Sequence, residues 1–174
     1  MLFVAAAGNS GGDTAVSPMY PAAYDLDNII SVANLNFDGT LNSTSNYGSD
    51  VDIAAPGTTI LGYGAEDKLY YMTGTSMSAP MVAGAAALIY SGTEGLSLAQ
   101  VREAILKSAK PLASLAGKVA TGGMLDTGAA LEYAVSASSK SASPVFSDVG
   151  TGDWFYSYVT KLAAAGVVAG YEDG

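Results

Sequence analysis

Residues 77–90 are almost all small or apolar, and none of them is charged. Such a segment predicts a helix that is buried on all sides, because a surface helix would carry a polar stripe. Pro80 is compatible with this helix if it lies in the first turn, where a missing N–H leaves no bond unmade. A chain that buries a whole helix must surround it with other elements, so a layered architecture is expected.

Three apolar runs precede this helix, at residues 2–7, 29–35 and 51–55. They show no apolar–polar alternation, which is typical of strands buried on both faces of a parallel sheet. Shorter strands are predicted at 58–63 and 69–73. Strands followed by helices indicate an α/β fold with a mostly parallel sheet.

Two further helices are predicted beyond residue 90. Ser97 and Gln100 have the spacing of a capping box, which starts a helix running to about Ser108. Another helix is predicted from Thr127 to Val135. The Ser- and Ala-rich residues 136–145 are interpreted as a linker.

A short helical segment is predicted after the linker. Asp153 caps a helix that carries Trp154, Tyr158 and Leu162 at i, i+4 and i+8, and Gly166 ends it. About thirty residues are too few to bury a core of their own.

The residue inventory excludes several classes of protein. A net charge of −9 and scattered basic residues argue against a nucleic-acid partner. The chain has no cysteine, which excludes disulfides and thiolate metal sites. No apolar run reaches the roughly 18 residues of a membrane span, and the chain contains no histidine.

The sequence GTSMSAP, residues 74–80, places Ser76 where the buried helix begins. A helix N-terminus stabilises negative charge, and attack by a serine on a carbonyl generates an oxyanion. Ser76 is therefore a candidate nucleophile. The alternative is that Ser76 is simply the N-cap of the helix. The pattern is not the Gly-x-Ser-x-Gly elbow of the α/β-hydrolases, because Ser78 occupies the position of the second glycine of that motif.

Four segments in order, AAAGNSG, YPAAYDLDNIISVA, SNYGSDVDIAAPG and GTSMSAPMVAG, resemble the second half of the subtilisin-like serine proteases. The resemblance covers residues 1–135 and implies part of a three-layer α/β fold. It implies that Ser76 is the nucleophile and that Asn9 is the side-chain donor of the oxyanion hole. As substrate-binding residues the resemblance implies Ala6 and Gly8, which would line the substrate pocket, and Gly74 and Thr75, which would lie near its floor.

The same resemblance requires an Asp and a His, which precede the oxyanion asparagine in this family. We expect both to lie upstream of Met1, so that this chain is a fragment and is inactive alone. The alternative is that Lys68 acts as the base in a Ser–Lys dyad. No cofactor is expected, although a loop at residues 20–27 resembles a cation site of some family members, with Asp25 and Asp27 as candidate calcium ligands.

Residues 146–174 resemble the opening of an S-layer homology domain, through the Phe-Ser-Asp-Val start and the closing Gly-Tyr-Glu-Asp-Gly. Such domains attach exported proteins to cell-wall polysaccharide. The resemblance implies an extracellular, wall-associated serine endopeptidase that acts on polypeptides, with a truncated anchoring domain. The alternative is a wall-associated binding or structural protein whose protease-like half is a pseudoenzyme.

Overall fold

The computed structural model describes residues 1–64, 67–93, 95–141, 149–150 and 152–164. The chain divides into two compact units, Met1–Val135 and Ser136–Gly174. The division into a domain at 1–135, a linker at 136–145 and a second domain at 146–174 stays a prediction.

The first unit is built on a mostly parallel sheet, which confirms the α/β prediction. The strands of the described residues are β1 (Phe3–Ala6), β2 (Ile29–Leu35), β3 (Ile53–Pro56), β4 (Ile60–Tyr63), β5 (Leu69–Met72), β6 (Lys110–Pro111) and β7 (Gly123–Met124). Five of them form this sheet in the order β1-β2-β3-β7-β6, and a second sheet pairs β4 with β5. Strands β1, β2, β3 and β7 are parallel, whereas β6 is antiparallel to β7 and β4 is antiparallel to β5.

Strand β2 is buried along its whole length, as its mainly apolar sequence predicted, and its two polar residues, Ser31 and Asn34, are buried with it. Its side chains alternate between two clusters, because successive residues of a strand point to opposite faces. Ile30 and Val32 belong to the cluster that contains the helices, whereas Ala33 and Leu35 belong to the cluster on the other face. That other face is covered by a loop and a short 3-10 helix, Ala113–Leu115.

The described residues form four α-helices. The predicted capping box is confirmed, because Ser97 Oγ accepts from Gln100 N at 3.3 Å and Gln100 Oε1 accepts from Ser97 N at 2.9 Å. The third helix extends beyond its predicted end at Val135 and includes the first residues of the predicted linker. The helices are α1 (Thr75–Gly92), α2 (Leu98–Lys107), α3 (Thr127–Ser141) and α4 (Tyr156–Ala164).

Helix α1 differs from its prediction in two respects. It begins at Thr75, so Pro80 is its sixth residue and does not lie in the first turn. The Pro80 nitrogen therefore donates no hydrogen bond to the carbonyl of Ser76. Burial on all sides is also wrong: Val82 and Ile89 face the sheet, but the opposite side is exposed.

The exposed side of α1 is apolar and continues onto strand β1. Met81, Leu88 and Tyr90 are 39%, 45% and 44% exposed. Strand β1 is an edge strand of the sheet, and its Phe3 is 43% exposed, so the predicted burial on both faces holds only in part. A groove of about 340 Å³ lies between the two elements. It is lined by Met1, Leu2, Val4, Ala83, Ala86, Ala87 and Tyr90.

The second unit contains helix α4. Trp154 lies before this helix and not on it, which corrects the predicted start, and the predicted end at Gly166 lies outside the described residues. Trp154 and Tyr158 are 84% and 65% exposed. Within the described ranges, no helix has both the length and the apolar character needed to cross a bilayer.

Candidate functional site

The first part of the site is the N-terminus of α1. Gly74 occupies the N-cap position, Thr75 is the first helical residue and Ser76 is the second. The interpretation of Ser76 as the N-cap is therefore wrong, and the N-cap residue Gly74 has no side chain that could accept a hydrogen bond. The Ser76 side chain is exposed, and the first turn contains no acidic residue that would neutralise the positive end of the helix dipole.

The second part of the site is the loop that follows strand β1 and carries Asn9. The Thr75 N–H donates to Asn9 Oδ1 at 2.9 Å, and the Thr75 hydroxyl donates to the same oxygen at 3.2 Å. The Gly8 N–H donates to Thr75 Oγ1 at 3.2 Å. Thr75 is fully buried, so these bonds join the end of β1 to the start of α1 through a side chain shielded from water.

The bonds to Thr75 orient the Asn9 amide. Because Oδ1 is engaged by Thr75, the Asn9 Nδ2 group is left to donate, and among the described residues it has no acceptor. The Ser76 N–H also lacks an acceptor within the described part of the chain, as expected of a first-turn donor. Two hydrogen-bond donors, one from the Asn9 side chain and one from the Ser76 backbone, are therefore unpaired among the described residues at the start of α1.

The predicted pocket residues lie on either side of this junction. Ala6 is the last residue of β1 and is half-buried, and Gly8 follows it. Gly74 is buried, and a Cβ added to it would lie 3.4 Å from both Nδ2 and Oδ1 of Asn9. The structure thus brings together all six predicted residues, while their roles in substrate binding stay predictions.

Sequence reasoning missed one residue and one role. Thr75 was predicted to lie near the pocket floor, which stays a prediction, and its backbone and side chain also hold the Asn9 amide. Asn46 was not singled out, yet its side chain bonds to three backbone groups of the Asn9 loop. Asn46 lies in a loop that also contains Asn36 and Asn42, and its place in the family-like segment SNYGSDVDIAAPG is the one sequence signal that distinguishes it from them.

Lys68, the alternative base, is exposed and directly precedes strand β5. A Ser–Lys dyad requires the amine within hydrogen-bond reach of the serine hydroxyl. Within the described residues, the Ser76 hydroxyl makes no hydrogen bond with Lys68 or with any other side chain. The geometry gives no support to the dyad.

The candidate calcium loop lies beside a cavity of about 350 Å³ that Asp25 lines together with Asp52 and Arg102. Asp27 does not line this cavity. Asp52 accepts from Arg102 Nη2 at 2.9 Å and from the Ser31 N–H at 2.7 Å. Burial raises the pKa of Asp52 above its usual value, although the Ser31 N–H and the Arg102 guanidinium oppose the shift. No group of three metal-ligating side chains occurs among the described residues, and calcium binding stays a prediction.

Comparison with protein families gives two matches along the chain. Residues 1–145 match the model of the subtilase family, and residues 145–174 match the model of the S-layer homology domain.

Individual proteins agree with the first match. The chain is 43% identical over 109 residues to the halolysin of Haloferax mediterranei, covering 62% of this chain and 20% of that protein. It is 42% identical over 106 residues to the thermitase of Thermoactinomyces vulgaris, covering 61% and 36% of the two proteins. Its fold is similar to that of the self-cleaved protease domain of PatA, with a TM-score of 0.68 and 31% identity over 78% of this chain and 51% of that one. The chain thus spans about half of the solved structure and a smaller share of the curated relatives.

Proposed function

The chain belongs to the subtilase family of serine proteases, and we propose that its Ser76 is the nucleophile of a peptide-bond hydrolase and Asn9 its oxyanion-hole donor. One observation carries this proposal: the 2.9 Å bond from the Thr75 N–H to Asn9 Oδ1, which holds the Asn9 amide at the start of α1 and leaves its Nδ2 group to donate. Donors placed where charge develops are the largest contribution to catalysis of acyl transfer.

Residues of this chain supply the nucleophile and the oxyanion-hole donors, whereas the His that acts as the base and the Asp that orients it are supplied by other polypeptide. Ser76 Oγ attacks the carbonyl carbon of the scissile peptide and loses its proton to a His that an Asp orients. The oxygen of the tetrahedral intermediate accepts hydrogen bonds from Asn9 and from the Ser76 N–H. The protonated His then gives its proton to the leaving amine, and water releases the acyl group from Ser76.

We propose that the Asp and the His lie in polypeptide upstream of Met1. The apolar side of α1 and the edge of β1 support this, because Met81, Leu88 and Tyr90 expose apolar surface on α1 and an apolar groove lies between α1 and β1. A soluble protein rarely leaves such a surface uncovered. A further parallel strand on β1 would cover it and would end, like β1, at the edge of the sheet that carries Asn9.

The 174-residue chain alone is therefore expected not to hydrolyse peptide substrates. It contains no histidine, and a serine hydroxyl without a base is a poor nucleophile. The measurement compares turnover by this chain with turnover by the complete catalytic domain, by which we mean this chain together with the upstream segment that supplies the Asp and the His. Turnover by the chain alone that is lost in Ser76→Ala would contradict the proposal.

A wall-associated protein with a pseudoprotease half is the second candidate function, and the match of residues 145–174 to the S-layer homology domain favours the wall association in both. The sequence upstream of Met1 discriminates the two. An Asp and a His motif of the subtilase type would establish the enzyme, whereas their absence from the whole gene would establish the pseudoenzyme.

We further propose that the protein is extracellular and binds cell-wall polysaccharide through a complete S-layer homology region. The 174-residue chain is expected not to sediment with purified cell walls, because about thirty residues bury too little apolar surface to fold alone. The full-length protein is expected to sediment. Sedimentation of the short chain, lost when residues 145–174 are removed, would show that this segment is sufficient and that the proposal is wrong on that point.

A further inference from the structure

We propose that Asn46 is the positioning residue for Asn9: it fixes the backbone on both sides of Asn9, so that the Asn9 amide meets Thr75 and presents Nδ2 as a donor. This inference rests on the proposed function for its catalytic consequence, but its structural part stands on the contacts of Asn46 alone. Asn46 touches neither Ser76 nor the proposed oxyanion, and it acts through Asn9.

The side-chain amide of Asn46 spans the Asn9 loop. Its Nδ2 donates to the carbonyl of Ala7 at 2.9 Å, before Asn9 in the chain. Its Oδ1 accepts from the N–H of Ser10 at 2.9 Å and from that of Gly12 at 3.2 Å, after Asn9. The side-chain amide of Asn46 thus holds the backbone of Ala7 before Asn9, and the backbone of Ser10 and Gly12 after it.

Asn46 can act as an anchor because it is itself held. It is 3% exposed, and its own N–H donates to the carbonyl of Gly8 at 2.9 Å. The Ser45 hydroxyl donates to the Asn46 carbonyl at 3.0 Å and accepts from the N–H of Asn34, in strand β2, at 2.9 Å. The loop of Asn9 is therefore tied through Asn46 to the buried centre of the sheet.

Gly8 shows how closely Asn46 approaches this loop. A Cβ at Gly8 would lie 2.5 Å from Asn46 Nδ2, and Gly8 has φ of 104°, a conformation that favours glycine. The absence of a side chain at Gly8 is what allows the Asn46 amide to reach the Ala7 carbonyl.

Thr75 and Asn46 divide the task of orienting Asn9. Thr75 bonds to the side-chain oxygen of Asn9, and Asn46 bonds to the backbone on either side of it. If the backbone moves, Oδ1 leaves the Thr75 N–H, although no atom of Thr75 has been changed. The rate of hydrogen exchange at the Thr75 amide therefore measures how well Asn46 holds Asn9, although Asn46 makes no hydrogen bond to Thr75.

The first test measures amide hydrogen exchange in the ¹⁵N-labelled 174-residue chain. Asn46→Ala is expected to accelerate exchange at Thr75 about 3- to 10-fold, as well as at Ser10 and Gly12, relative to the amides of strand β2. The matched control is Asn42→Ala. Asn42 lies in the same loop and bonds to Asn36, Thr44 and Thr58 but to no residue of the Asn9 loop, so Thr75 should exchange as in the wild type.

Faster exchange at Ser10 and Gly12 with an unchanged Thr75 would overturn the proposal, because Asn46 would then only stabilise its own contacts. If Asn46→Ala does not fold, Asn46→Asp decides. An aspartate keeps the acceptor for Ser10 and Gly12 but places an oxygen against the Ala7 carbonyl, so Thr75 should still exchange faster. An unchanged Thr75 in this variant overturns the proposal equally.

The second test uses the complete catalytic domain. Asn46→Ala is expected to lower kcat about 10-fold with KM nearly unchanged, and to cause no further loss in a protein that already carries Asn9→Ala. An additive loss in the double variant would contradict a role through Asn9. If the wild-type domain hydrolyses no peptide, the proposed function fails, while the exchange at Thr75 still decides whether Asn46 positions Asn9.

Discussion

Replacement of Ser76 by alanine is expected to lower kcat of the complete catalytic domain by about 10⁶-fold, a magnitude known from subtilisin itself. Without the hydroxyl no acyl intermediate forms, and the remaining rate comes from the oxyanion-hole donors and from substrate binding. The measurement is the rate of hydrolysis of a peptide substrate under single-turnover conditions, with circular dichroism to establish that the variant is folded.

Ser78 provides the matched control for this substitution. It lies two residues further along α1, and its hydroxyl is buried and has no hydrogen-bond partner among the described residues. Ser78→Ala removes the same atom from the same helix and should leave kcat within about twofold, since no hydrogen bond is lost. A loss of activity in Ser78→Ala similar to that in Ser76→Ala would mean that the effect comes from the helix and not from a nucleophile.

Asn9→Ala is expected to lower kcat by about 10²–10³ and to change KM little, because the bond from Nδ2 forms mainly to the charge that develops in the transition state. This magnitude too is the one known from subtilisin. Asn9→Asp tests the donor while keeping the contact with the helix, since it retains the oxygen that accepts from Thr75 and replaces the donor by a negatively charged oxygen that would repel the oxyanion. We expect at least as large a loss in kcat. A variant at Asn9 that retains full kcat would exclude this residue from the mechanism.

The elements predicted correctly from the sequence have strong local signals. Strand β2 is apolar except for Ser31 and Asn34, and it is buried along its length. The capping box of Ser97 and Gln100 forms as its spacing indicated. Strands β6 and β7 were missed because each has two residues, which is too short for any periodic pattern. The start of α1 was placed at Met77 and not at Thr75, since Gly74 caps the helix without a side-chain signal.

The burial of α1 could not be predicted from its sequence, because an apolar residue shows what it can contact and not what is present to contact it. Met81 and Leu88 have the character of core residues but are exposed in this chain. The site was predicted more completely than its support. The candidates Asn9 and Ser76 follow from a resemblance between motifs. The hydrogen bonds of Asn46 and Thr75 to the Asn9 loop join segments that are 34 to 67 residues apart in the chain, and local sequence patterns do not predict such bonds.

Labelling of the complete catalytic domain with an alkyl fluorophosphonate, followed by peptide mapping, tests the central proposal most directly. The reagent forms a covalent bond with an activated serine and places a phosphoryl oxygen where the oxyanion would lie. We predict a single adduct on Ser76, absent from Ser76→Ala and formed more slowly in Asn9→Ala. An adduct on a different serine, or hydrolysis of peptides by a domain whose Ser76 never reacts, would contradict the assignment of Ser76 as the nucleophile.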